Sequence, residues 1–227
     1  MKLLKSLGLM LALLAVISVL IVIPALLAGI ATDWKVIVLA VGYFVFFLGT
    51  VWRVVQFGQL ADRQDDRQVR DVSGRIASLF TIVGLVGFHW LSLYTLSQQE
   101  YSSIPALDSG LTAIAMILIL AAIVVSQVAI RTLGKFFDRL TIKSDHQLVS
   151  DGIYSLVRHP IYTSYILLFV GFCVMTQSLL GAGLLLVTCL VWFGNRISIE
   201  EQMLSEEFGE AYQTYCQQTK RLFPYVY

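Results

Sequence analysis

Apolar residues run along this chain in long unbroken stretches, not in the alternation of strands or the narrow stripes of soluble helices. Residues 7–30, 34–57, 76–96 and 111–130 each come close to the roughly 20 apolar residues that carry a helix across a bilayer. The last stretch, 161–193, is too long for one ordinary span, and Gln177-Ser178 with Gly181 and Gly183 interrupt it, which predicts a tight helical hairpin. The pattern therefore predicts an all-α, polytopic transmembrane helical bundle of about six spans. Pro24 predicts a kink in the first span, which neighbouring helices tolerate.

Composition agrees and removes the soluble alternative. The chain is 57% apolar and 14% charged, with a mean hydropathy of +0.77, against roughly half apolar and a quarter charged in soluble domains. Lys2 and Lys5 precede the first stretch as they would in a signal peptide, but that stretch overshoots the usual h-region of about 7 to 15 residues, so a retained span is expected. Six spans place Lys2, Lys5, Arg63, Arg67, Arg70, Arg75, Lys135, Arg139, Lys143, Arg158, Lys220 and Arg221 on one side and Lys35 alone on the other. The positive-inside rule makes the rich side cytosolic, with both termini there. Short loops and compact size suggest a bacterial inner membrane.

A formal net charge of +1 gives no sign of a nucleic-acid partner. The mixed-charge run 61–71 reads as a solvated helix end with some affinity for anionic headgroups. Cys173 and Cys189 fall in apolar runs and Cys216 stands alone, so no disulfide framework or metal site is expected. His89, inside an apolar run, is expected to be a hydrogen-bonded buried histidine.

The pattern changes near residue 133, dividing four N-terminal spans (1–132) from a C-terminal region (133–227) of polar loop, hairpin and charged helix. The loop holds His146, Asp151, Gly152, Tyr154, Arg158, His159, Pro160 and Tyr162, more hydrogen-bonding groups than a connector needs. Pro160 pushes His159 toward an extended backbone and suits the first position of the next helix, whose free N–H groups favour an anion. After the hairpin, Arg196 and Glu200 share one helix face, and Glu201, Leu204 and Phe208 continue at amphipathic spacing. Ionisable groups emerging from a span are functional candidates, although an ordinary surface ion pair explains the Arg196/Glu200 spacing equally well.

Together these segments resemble the C-terminal signature of the isoprenylcysteine carboxyl methyltransferases and the related phospholipid methyltransferases. The resemblance is carried by His146-Gln-Leu148-Val149, Gly152-Ile-Tyr154, Arg158-His159-Pro160-Ile-Tyr162, Arg196, Glu200-Glu201, Leu204, Phe208-Gly209, Tyr212, Tyr215, and Arg221 ahead of Pro224. Ile153 stands where many members have Pro, and Ser164 where many have Gly. The resemblance implies a cytosolic-side pocket for S-adenosylmethionine and a lipidic, prenylcysteine-like acceptor held in the bilayer. It implies that His146, Leu148 and Val149 border adenine and ribose. Gly152, Tyr154, Arg158, His159, Pro160 and Tyr162 would form the pocket, and Glu201 would meet the ammonium or the ribose hydroxyls.

A carboxylate acceptor is already ionised at neutral pH and needs no general base, only a cation to orient it. Arg196 offers that cation, with Glu200 one turn on to hold it. An amine acceptor, as in phosphatidylethanolamine methylation, would need Glu200 or His159 to take a proton, and a thiol acceptor is a third possibility. An NADPH-dependent reductase and a non-catalytic lipid-binding protein are the remaining alternatives.

Overall fold

The structure is a computed structural model that describes residues 2–57, 72–98, 105–136 and 148–224. Helix α1 (Lys2–Ile17) runs through a π turn (Ser18–Val22) into α2 (Ile23–Leu27). It is followed by α3 (Trp34–Phe57), α4 (Val72–Ser97), α5 (Pro105–Leu133), α6 (Pro160–Met175) and α7 (Leu179–Gln218). Short 3-10 turns, Gly134–Phe136 and Gly152–Ser155, lie between α5 and α6. No strand occurs among the described residues beyond one parallel bridge, Val157 to Lys220. His146 and the mixed-charge run 61–71 lie outside the described residues.

Among the described residues, five stretches are long and apolar enough to cross a membrane: Ser6–Leu27, Trp34–Phe57, Arg75–Ser97, Asp108–Leu133 and Leu179–Gln218. Helix α6 has 16 residues, about 24 Å of rise, somewhat short of the roughly 30 Å hydrocarbon core. The expected kink at Pro24 takes a specific form. A proline ring clashes with the carbonyl four residues back, and the π turn ahead of Pro24 relieves this by moving the Ile23 N–H to the Ser18 carbonyl. The Trp90 indole of α4 donates to the Val19 carbonyl at 2.9 Å, so the distorted turn is satisfied from a neighbouring helix.

Two expectations about the last apolar stretch change. The hairpin breaks at Gln177-Ser178, where Gln177 has φ 51° and the Ser178 hydroxyl caps α7 by accepting from the Gly181 N–H at 3.0 Å. Gly181 and Gly183 do not interrupt anything; both lie within α7. The second change concerns the amphipathic C-terminal segment: the helix that begins as the span runs uninterrupted from Leu179 to Phe208, about 45 Å, half again the hydrocarbon thickness, and carries Arg196, Glu200 and Glu201. The break in α7 is Gly209, at φ 50° and ψ −122°.

The hairpin arms have different partners. Helix α6 packs along α5, with Gly171 against Ile119 and the Ala115 carbonyl, whereas α7 packs along α4. Helix α3 meets α5 where Gln127 fills the space beside Gly49 and donates to the Phe46 carbonyl at 3.2 Å. At the centre, Phe88, His89, Phe169 and Phe172 meet edge to face, and Tyr43 packs edge-on against His89 and Phe172. His89 is buried and hydrogen-bonded as expected. Its Nδ1 lies 2.6 Å from the Leu85 carbonyl, which can only accept, so Nδ1 carries the proton and Nε2 accepts from the Tyr43 hydroxyl at 2.7 Å.

At the far end of the bundle, Lys35, the basic residue that charge sorting isolates, is buried at 8% exposure. Its ammonium pairs with Asp108 at 2.8 Å in the first turn of α5, and Gln177 of the hairpin turn donates to the same carboxylate oxygen. One carboxylate thus ties α3, α5 and the α6–α7 turn together.

The α4–α7 seam depends on missing side chains. A Cβ on Gly181 would lie 2.0 Å from the Ser92 hydroxyl, whereas one on Gly183 would meet nothing within 4 Å. Gly181→Val is therefore expected to destabilise the bundle by about 1–3 kcal/mol or more through overpacking, and Gly183→Val to leave it near wild type. Thermal unfolding of both variants in the same detergent checks this, since propensity changes cancel between them.

Candidate functional site

The polar cluster forms where the loop ahead of α6, the outer part of α7 and the C-terminal tail converge. Pro160 opens α6 as expected, and His159 precedes it with φ −125° and ψ 57°, extended in φ but turned in ψ. The turn lets the His159 carbonyl accept from the Thr163 N–H at 3.1 Å while its imidazole is buried at 3% exposure. Ahead of it, Gly152 takes φ 57° and starts the 3-10 turn that buries Tyr154.

The tail folds back over this loop. The Arg158 and His159 N–H groups donate to the Lys220 and Arg221 carbonyls at 2.7 and 3.0 Å, and the Thr163 hydroxyl donates to the Leu222 carbonyl at 2.6 Å. The Arg158 guanidinium donates to the Cys216 and Thr219 carbonyls, groups that a helix end leaves without intrahelical partners. The Tyr215 hydroxyl closes the ring by donating to the Tyr154 carbonyl at 2.7 Å.

Glu201 sits at the centre. Its carboxylate accepts from Arg158 Nε at 3.1 Å, from Arg221 Nη2 at 2.7 Å and from His159 Nε2 at 3.3 Å. About 20 residues of α7 suffice to cross the hydrocarbon, so Glu201 lies just past the span. Burial alone would push its carboxyl up, but hydrogen bonds from His159 and Arg221 and the charges of His159 and Arg158 outweigh that and hold it at about 2.

Glu200 is set differently. Its side chain is 34% exposed, and it accepts from the Tyr162 hydroxyl at 2.6 Å with His159 Nδ1 at 3.7 Å. The same Tyr162 hydroxyl is hydrogen-bonded to Arg196. Arg196 and Glu200 therefore communicate through a tyrosine from the opposite wall. Tyr162 also stacks on the His159 ring at a centroid distance of 5.5 Å and packs on Phe193.

The structure thus brings together Tyr154, Arg158, His159, Pro160, Tyr162, Arg196, Glu200 and Glu201. Leu148 and Val149 are half-buried in the stretch entering the Gly152 turn, and His146 is outside the described residues. The residues present suit a cationic, aromatic cofactor: two carboxylates flank the imidazole, three tyrosines line the cluster, and the buried Tyr154 hydroxyl has no hydrogen-bond partner among the described residues. Arg221, Thr219 and Tyr215 have no site role in the sequence analysis. Arg221 is 20 residues from Glu201, a separation that no helical or loop periodicity connects.

Residues 110–211 match the family described as phospholipid methyltransferase. A protein-S-isoprenylcysteine O-methyltransferase A of Arabidopsis thaliana is 30% identical over 151 residues, covering 63% of this chain and 77% of the relative. A probable protein-S-isoprenylcysteine O-methyltransferase of Oryza sativa subsp. indica is 29% identical over 118 residues, 50% of this chain and 61% of the relative, so the chain matches somewhat under two thirds of that protein. A solved structure of a eukaryotic intramembrane Ras methyltransferase, isoprenylcysteine carboxyl methyltransferase, aligns with a TM-score of 0.58 at 22% identity, covering 93% of this chain and 75% of that one. The fold is shared along nearly the whole chain, and the family match at 110–211 takes in most of the residues of the polar cluster. This chain is an integral, multi-pass membrane protein that belongs to the isoprenylcysteine carboxyl methyltransferase and phospholipid methyltransferase family.

Proposed function

We propose that the chain transfers a methyl group from S-adenosylmethionine to the carboxylate of a lipidic, prenylcysteine-like acceptor. The observation that carries this reading is the Arg196–Tyr162–Glu200 chain: a guanidinium where a span leaves the hydrocarbon, held from both sides and beside a partly exposed carboxylate. The names of the plant relatives support the same acceptor class.

S-adenosylmethionine supplies an electrophilic methyl on a sulfonium. The chain has to hold an ionised carboxylate in line with it, and no proton needs to move because the acceptor has lost its proton at neutral pH. Arg196 supplies a planar two-pronged donor for that carboxylate, and Tyr162 fixes the guanidinium relative to Glu200. Tyr154, His159 and Glu200 would border the cofactor, with Leu148, Val149 and Gly152 on the loop side. Arg158, Pro160 and Glu201 shape that wall by locking loop, helix and tail together. This shifts Glu201 from direct cofactor contact toward holding the pocket's frame, since two guanidinium groups and an imidazole already occupy its oxygens.

A lipid tail has a place to go. A cavity of about 540 Å³ separates α6 from α7, lined by Ile166, Val170, Val174, Ala182, Leu186 and Cys189. It begins one turn beyond Tyr162 on α6 and two turns beyond Arg196 on α7, within the size range of ligand sites. Six crossings with both termini in the cytosol, in a bacterial inner membrane, complete the proposal, α6 being the fifth in chain order and α7 the sixth. They put the polar cluster on the side with the basic residues. A second reading, an amine acceptor in a phospholipid headgroup with Glu200 taking the proton, is favoured by the match of residues 110–211 to the phospholipid methyltransferases.

Arg196→Ala is expected to lower kcat/KM for a prenylcysteine acceptor by about a hundredfold or more, on the scale of a lost charge-assisted carboxylate contact, while calorimetric affinity for S-adenosylmethionine stays within a few-fold. Equal loss of both would remove Arg196 from the acceptor's side of the site. Ala182→Phe, which fills the cavity, is expected to reduce turnover of long-chain acceptors more than of short ones, read from relative kcat/KM values.

Glu201 makes the frame pH-dependent. Its carboxyl titrates lower in the folded protein than the usual 4.5, so the stability it adds is complete above that value and is lost as pH falls toward about 2. Wild type is expected to lose unfolding temperature over that window relative to Glu201→Gln, and parallel pH curves would contradict the assignment.

A further inference from the structure

The N-terminal half contributes one side chain that the reading above leaves unused. Arg53, near the end of α3, is the largest fully buried side chain, with 1% exposure. A charged group in that position is costly unless it is aimed at a partner, and helix packing alone would be served by an apolar residue. Its Nε–H donates to the Gly134 carbonyl at 3.3 Å.

Gly134 is where α5 gives way to the connection leading to the candidate cofactor loop, and it takes φ 52°, a conformation that favours glycine. A helix end leaves carbonyls without intrahelical partners, and a cation suits it. The neighbours of Arg53 grip the same turn. A Cβ on Gly134 would sit 3.7 Å from the Phe57 ring, and the Arg131 guanidinium lies 5.9 Å from the centre of the Trp52 ring. Trp52 in turn packs edge-on against Phe57.

The loop returns to the same place. Gly152, which begins the turn carrying Tyr154, lies beside Thr132, where a Cβ would make ordinary contact at 3.5 Å from the hydroxyl. The way out at Gly134 and the way back at Gly152 are thus both seated within three consecutive residues, 132–134, at the end of α5, and α3 holds the first of them from outside the family match at 110–211.

We propose that Arg53 is a positioning residue for the cofactor wall: acting through the Gly134 carbonyl, it fixes the α5 terminus on which the segment 148–155 is seated. It touches neither cofactor nor acceptor. The inference rests on the reading that this segment borders S-adenosylmethionine. Lysine is a poor substitute because a flexible ammonium cannot reproduce the planar donor set of a guanidinium.

The test uses the full-length protein in detergent or nanodiscs. Arg53→Met keeps the apolar stem and removes the donors, a replacement that buried charges often tolerate without loss of stability. Its dissociation constant for S-adenosylmethionine is expected to rise about tenfold, the scale of a lost hydrogen bond to a charged group, with acceptor KM unchanged. Amide hydrogen exchange across 148–155 should quicken, with Arg53→Lys in between on both readouts. Cofactor affinity within twofold of wild type with unchanged exchange would overturn the inference. So would a parallel loss of cofactor affinity, acceptor KM and melting temperature, the mark of general destabilisation. Failure of the wild-type protein to bind S-adenosylmethionine would instead overturn the methyltransferase reading, and this inference with it.

Discussion

The Glu201 carboxylate is the joint on which the polar half of the molecule depends. Arg158 reaches it from the loop, His159 from the start of α6, and Arg221 from the tail, while Glu201 itself stands on α7 just past the membrane. Four segments thus meet at one charged group, with the loop and the tail also joined by the Val157–Lys220 bridge. Removing a partner from such a cluster leaves an uncompensated charge, which costs far more than the pair contributes when intact. The same argument explains why the tail folds back: its carbonyls satisfy the N–H groups of Arg158 and His159, and Arg158 in return satisfies carbonyls at the end of α7.

The membrane half serves this joint by holding α6 and α7 apart at one level and together at another. Each arm of the hairpin leans on its own partner, α5 or α4, so the arms enclose space between them. The aromatic pairs Tyr162–Phe193 and Tyr165–Trp192 close the side nearer the polar cluster. At the opposite face Lys35, Asp108 and Gln177 fasten the hairpin turn. An ion pair at each end of the bundle and close-packed glycine seams between them make the scaffold rigid where a positioned reaction needs it.

Much of this was legible from residue order. Long apolar runs gave the helices to within a few residues, because in hydrocarbon a helix is the simplest way to satisfy the backbone. The Arg158-His159-Pro160 loop and the Arg196/Glu200/Glu201 helix were recognisable by their density of ionisable groups beside spans. Their pairing was not. The i, i+4 spacing placed Arg196 and Glu200 on one helix face, but nothing in it pointed to Tyr162, which binds both from another helix. Glu201 looked available to a ligand and is instead enclosed by side chains 20, 42 and 43 residues away in sequence. Gly181 read as a break because its packing partner, Ser92, lies on a helix that sequence periodicity cannot place beside it.

The central claim is that a methyl group reaches a lipid-borne carboxylate gripped by Arg196. Incubating the purified protein with methyl-labelled S-adenosylmethionine and paired acceptors, a prenylcysteine bearing a free carboxylate and the same compound as its amide, tests it most directly. The account predicts base-labile label on the free acid and none on the amide. Label that survives base, or that appears equally on both acceptors, would contradict it.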